Sequence, residues 1–173
     1  MIYFVTENYL KTNTPITNNV DVTDIMPYVQ TQARLRIKSI LGSYFYDDIL
    51  TKYNAQTLNA DETTLVEYIQ PVIAWYSAED AVFGLTYQLK NKGVQQQFGD
   101  YSNAIGKDEV AFNMDHYHQK AAIFEKDLIA WLLDNKALFA NFTSQDNKDS
   151  VVKPINDDCD NDLDNYNNTL LVI

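Results

Sequence analysis

The sequence predicts a mainly α protein: a helical bundle with two long antiparallel helices, a short β-prone N-terminal segment, a projecting loop and an extended C-terminal tail. Three observations predict it. The stretch from Asn59 to Gly93 combines a start signal, an apolar stripe at helical spacing and a glycine stop. A second long stripe runs from Asp108 to Phe142. The two stretches are joined by a loop of about fifteen residues and are read as a long antiparallel pair.

Residues 2–5, Ile-Tyr-Phe-Val, are β-prone and too short to fold alone, so they call for a partner strand in this subunit or another. Thr6 opens a short helical turn, Glu7–Lys11, and the polar Thr12–Asn19 with Pro15 reads as an arm. Asp21 starts the first clear helix, with Asp24 in its first turn. Ile25, Val29, Ala33, Ile37 and Leu41 recur every four residues, and Gly42 is the stop. Arg34, Arg36 and Lys38 form the one dense basic cluster, read as a solvated face or as a seat for an acidic patch on a neighbouring subunit. Ser43 is expected to cap a helix over Tyr44–Tyr53 that buries Phe45, Ile49 and Tyr53.

In the central helix, Asn59 and Glu62 make the N-cap and N3 pair. Its stripe is Leu65/Val66, Ile69, Val72/Ile73, Tyr76 and Phe83, with Leu85 and Leu89 toward the end. Trp75 widens that surface, so the helix is expected to be sandwiched. Pro71 removes one backbone hydrogen bond, and Gly93 is expected as a left-handed cap. In Gly93–Lys107, Val94, Gln96 and Phe98 alternate with Gln95 and Gln97, which fits an extended, outward-projecting piece. Asp108 is expected to cap the last helix, whose stripe is Val110, Met114, Tyr117, Ala121, Phe124, Leu128 and Trp131/Leu132, closed by Leu138 and Phe139. The domains are therefore an N-terminal arm (1–20), a helical domain (21–142) and an extended acidic tail with an apolar terminus (143–173).

The net charge of −11 is unevenly spread. Residues 1–92 hold seven Lys/Arg against ten Asp/Glu, and residues 93–173 hold six against fourteen. This disfavours binding to a phosphate backbone or to an anionic membrane. No apolar run reaches the length of a membrane span, and no secretory leader is read at the N-terminus. The single cysteine, Cys159, excludes an intrachain disulfide and sits among aspartates that disfavour its thiolate.

Chemistry-bearing motifs are sparse. His116 and His118 lie two apart on a helix and point in different directions, so they cannot chelate one metal together. Asp115 and His118 can share a face, but no second such pair completes a dimetal bundle site. The aspartates from Asp158 to Asp164 lack the turn glycine and terminal glutamate of a calcium loop and read as a solvated tether. Trp75 and Trp131 read as core residues packed across the helical pair. No catalytic, cofactor-binding or metal residue is assigned.

The order of features carries a resemblance. Thr6-Glu7-x-x-Leu10-Lys11 leads to Pro27-Tyr28, then Leu41-Gly42-x-x-Phe45-Tyr46-Asp47, then Ile69-Gln70-Pro71-x-x-Ala74-Trp75-Tyr76, then Asn91-Lys92-Gly93-Val94, and a long helix closes the domain. This resembles the small head–tail connector (adaptor, or head-completion) proteins of tailed phages, especially those of Bacteroides-like and crAss-like phages, over residues 1–142. The resemblance implies a non-enzymatic virion protein at the head–tail interface, assembled in the host cytoplasm. Its partners would be itself, in a ring of usually twelve copies, the portal protein and the next tail or ring protein, with packaged DNA passing through unbound and no cofactor or membrane involved. Expected contacts with neighbours are Ile2, Tyr3 and Phe4, then Asn91, Lys92, Gly93, Val94, Phe98 and Tyr101, and the apolar end Leu170, Leu171, Val172 and Ile173. A helical scaffolding or regulatory protein that binds one partner through that apolar end is the alternative.

Overall fold

A computed structural model describes residues 3–90, 93–96 and 106–152, with the backbone alone for 87–90 and 93–96. The architecture is mainly helical. Two long helices, α5 (Ala60–Thr86) and α6 (Lys107–Asp134), pack along each other. Ring pairs fix the antiparallel sense: Tyr68 stacks on Trp131 at 5.0 Å, and Trp75 meets Tyr117 edge-on at 5.7 Å. Both tryptophans thus sit in the seam between the helices, as expected. α5 begins with a reciprocal capping box, in which Asn59 Oδ1 accepts from Glu62 N–H at 2.8 Å and Glu62 Oε2 accepts from Asn59 N–H at 3.0 Å.

On the other flank of α5 lies one helical rod in three parts: α2 (Val22–Gln32), a π turn (Ala33–Ile37) and α3 (Lys38–Leu41). Asp21 caps it through Thr23 N–H at 2.8 Å. The π turn explains the four-residue repeat. At about 100° per residue, each four-residue step overshoots a turn by about 40°, so five such positions drift round an α-helix. One extra residue in a π turn takes up most of that drift. Ile25, Val29, Ala33, Ile37 and Leu41 are accordingly all buried.

Several expectations are corrected. Residues 3–5 form no strand: Phe4 adopts a positive φ of 61° and is buried with Val5 in this subunit's own core. Its carbonyl accepts from Tyr53 Oη and from Gln70 Nε2, each at 2.9 Å, which holds the strained backbone in place. α1 (Glu7–Asn13), capped by Thr6, buries Leu10, and Ile16 follows it inward, so residues 3–20 are part of the domain rather than an arm.

α5 stops at Thr86, not at Gly93. Tyr87–Lys90 (β1) and Gly93–Gln96 (β2) form an antiparallel ribbon in the register Tyr87 to Gln96 and Lys90 to Gly93. The extended reading of Val94 and Gln96 holds, and Gly93 opens a strand instead of capping a helix. Phe83, expected in the stripe, is 53 % exposed, and Leu138 is exposed while Phe139 is buried. Gly106, not Asp108, is the N-cap of α6, and its N–H is met by the Glu109 carboxylate at 3.3 Å.

The tail begins later than expected. Residues 143–152 fold back as a latch over the joint between α3 and α4 (Ser43–Ala55). Ser43 does not cap α4; Asp149 does, accepting from Ser43 N–H at 2.8 Å and from the Ser43 hydroxyl. Asn147 donates to the carbonyls of Leu41 (2.6 Å) and Phe142 (3.1 Å) and accepts from Phe45 N–H (3.4 Å). Ser150 donates to Ile40 O at 2.6 Å, Val151 N–H donates to Ser39 O at 3.0 Å, and Val152 is buried. Beneath the latch, Phe45 packs against Phe139 and Phe142 at 5.4 and 5.7 Å. The aspartates from Asp158 to Asp164 lie outside the described residues.

Candidate functional site

Tyr76 stands where the three layers meet. Helical spacing from Ile69 through Val72 and Ile73 turns it inward, and its polar tip then needs a partner. Its hydroxyl donates to Glu125 Oε2 at 2.5 Å, and both side chains are buried. The Arg36 guanidinium, aimed by the π turn, lies 4.3 Å from the Tyr76 ring centroid. His118 meets the same ring edge-on at 5.6 Å and places Nδ1 3.1 and 3.2 Å from the two Glu79 oxygens. One turn along, the Gln32 amide donates to Asp80 Oδ2 at 2.6 Å.

Burial, then the Glu125 hydrogen bond and charge, raises the pKa of Tyr76 far above its ordinary value. Burial also raises that of Glu79, with His118 pulling the other way. These contacts tie α2, the π turn, α5 and α6 together, although Gln32 Oε1 is buried without a hydrogen-bond partner among the described residues. Asp115 does not join His118; it accepts from Gln119 at 2.7 Å on its own helix. Among the described residues, no group of three or more His, Cys, Asp or Glu is placed to hold a metal ion, and no helix is long and apolar enough to cross a membrane.

The expected contacts with neighbours fall into three groups. Ile2, Asn91, Lys92, Phe98, Tyr101 and Leu170, Leu171, Val172 and Ile173 lie outside the described residues. Gly93 and Val94 belong to β2. Phe4 is enclosed by its own subunit, which removes it from any contact surface, while Tyr3 is half-buried with Arg34 at 5.8 Å over its ring. The basic cluster is engaged within the subunit: Arg34 and Arg36 lie over Tyr3 and Tyr76, and Lys38 sits 3.4 Å from Asp47. Arg34 still has no carboxylate within 4 Å among the described residues.

Two surface residues escaped the sequence reading. Phe112, in the second turn of α6, is 72 % exposed, and Leu35, in the π turn, is 63 % exposed. Both lie off the apolar repeats, which was the available signal: Leu35 stands between two arginines, and Phe112 falls between Val110 and Met114. Asp108, Glu109, Phe112 and Asn113 line a shallow open hollow of about 410 Å³.

A profile described as a family of unknown function, DUF6712, matches residues 37–151. The chain belongs to this family. The DUF6712 region starts at the end of the π turn, takes in α5, the ribbon and α6, and closes within the latch, so Asn147, Asp149 and Ser150 lie inside it. Helices α1 and α2 lie before it. No curated protein and no solved structure matches the chain.

Proposed function

We propose that this DUF6712 protein is a structural subunit of a tailed-phage virion, a head–tail connector that assembles as a ring beneath the portal, extends the DNA channel and offers a platform to the tail. The carrying observation is the β ribbon at the end of the α5–α6 pair. A two-stranded ribbon is marginal by itself, and in this one each strand pairs with no further strand among the described residues. Held on two helices of about 40 Å at 1.5 Å per residue, it is suited to pairing with a neighbouring protein.

The seam chemistry supports the same reading. Arg36, Tyr76, Glu79, His118 and Glu125 are spent on each other, which suits a rigid strut that transmits load. The test is the mass of the native species, alone and on portal-bearing particles. A closed ring in either setting supports the proposal, and a chain that stays single in both overturns it.

A further inference from the structure

The two most exposed large apolar side chains of the described surface lie among charges of opposite sign. Leu35 is flanked by Arg34, Arg36 and Lys38, with Asp47 the acid nearest to Lys38. Phe112 borders the hollow with Asp108 and Glu109, and Lys107 and Asp115 are nearby in sequence. In the first patch Lys38 faces Asp47 and Asp149 and Arg36 faces Glu79, which leaves Arg34 as its unpaired cation among the described residues, while the second patch is formally negative. Asp108 has no cation within 4 Å among the described residues, so each patch keeps an uncompensated charge.

The patches cannot neutralise each other within one subunit. Arg36 lies at the level of Glu125 through Tyr76, and Glu125 and Asp108 are separated by roughly 25 Å of helix at 1.5 Å per residue. That exceeds a Debye length of about 8 Å at physiological ionic strength. A two-fold contact of either patch with itself would set like charge on like charge. Complementarity is met when the basic patch of one copy faces the acidic patch of another, either reciprocally about a two-fold or head to tail, and the head-to-tail form is the heterologous contact that builds the ring proposed above.

We propose that Leu35 of one copy seats in the hollow beside Phe112 of the next, with Arg34 facing Asp108 and Glu109. The occupant of the hollow is therefore a second copy of this chain. The proposal rests on the ring reading above and assigns its contact. Leu35 is small enough to enter a shallow hollow of this volume, and burying it with Phe112 supplies an apolar centre inside a charged rim, the usual anatomy of an interface.

The experiment uses the full chain with Cys159→Ser and measures self-association by native mass and sedimentation. Arg34→Glu and Asp108→Arg each weaken association about tenfold or more, and the double reversal brings it back to within about threefold of the parent. Arg34 and Asp108 are exposed, so the fold tolerates both changes. Independently, Leu35→Cys and Phe112→Cys chains, mixed under oxidation, form a disulfide between copies that neither forms as readily alone. Copies that associate but ignore the charge reversals, and give no mixed disulfide, overturn this contact while leaving the ring reading standing. They would assign the hollow to a different protein. Mixed disulfide and rescue in species that stay open and never close uphold the contact and overturn the ring. A chain that neither associates nor cross-links overturns the contact outright.

Discussion

Gly42→Ala tests how much of the domain depends on the latch. Gly42 joins α3 to α4 at φ 79° and ψ 154°, a region that side-chain-bearing residues avoid, at a cost of about 1–3 kcal/mol. A Cβ there would also run into the Asn147 amide, with Cγ at 2.7 Å and Nδ2 at 2.8 Å and Oδ1 closer still. Asn147 is buried and has no room to turn aside. Expelling it leaves the carbonyls of Leu41 and Phe142 unmet, at about 1–3 kcal/mol for each buried group. The total is roughly 3–9 kcal/mol, a large share of the roughly 5–15 kcal/mol that holds a domain together. For a chain of this size that is a fall in Tm of roughly 6–36 °C.

Urea unfolding followed by tryptophan emission reads it directly. Trp131 contacts Phe139 at 5.9 Å, and Phe139 packs on Phe45 under the latch. The paired variant sharpens the test. Asn147→Ala alone loses the hydrogen bonds, while Gly42→Ala with Asn147→Ala relieves the collision and carries the backbone strain and the lost hydrogen bonds once each. The double variant is therefore less destabilised than the sum of the singles. Additive costs, or a Gly42→Ala protein within about 1 kcal/mol of the parent, would refute the reasoning.

Three further outcomes follow from the same geometry. Tyr76→Phe strips the buried Glu125 of its donor and lowers stability by about 1.5–3 kcal/mol, whereas Tyr76→Phe with Glu125→Leu recovers most of it; denaturant midpoints that fail to recover contradict the seam. Glu62→Ala removes half of the α5 capping box and the 2.6 Å pair with Lys52, costing about 1–2 kcal/mol by thermal melting, and no change would count against the box. Hydrogen bonds from the Ser43 hydroxyl and N–H hold Asp149 below its ordinary pKa of 3.8, so its contribution is full above that value and is lost as pH falls through the lower folded value. The stability gap between parent and Asp149→Ala is thus constant from about pH 7 to pH 5 and narrows in stronger acid; a gap that is flat throughout speaks against the cap.

What could be read from the sequence was what is local. Asn59 and Glu62 are three residues apart, Asp21 and Thr23 two, and the long stripes need only helical spacing. The latch was illegible because Asp149 and Asn147 reach partners more than 100 positions away, and nothing around Ser43 announces that its cap comes from there. The α5 terminus was misread because Tyr87–Lys90 suits a strand or a last helical turn equally well, and pairing with Gly93–Gln96 decides it. Phe4 was misplaced because β propensity stood in for tertiary context, where Tyr53 and Gln70 hold its carbonyl. The π turn did leave a signal: a strict four-residue repeat over Ile25–Leu41 is longer than an α-helix keeps on one face. Of the proposed contact, the sequence showed the basic half in Arg34 and Lys38, but Phe112 stands out only once α6 is folded.

The most direct test of the connector reading is the native mass of the full chain, measured alone and after mixing with portal-bearing particles. The account predicts one closed oligomer of fixed copy number, formed freely or on the portal. A chain that stays monomeric in solution and binds no portal, or binds it as isolated single copies, contradicts it.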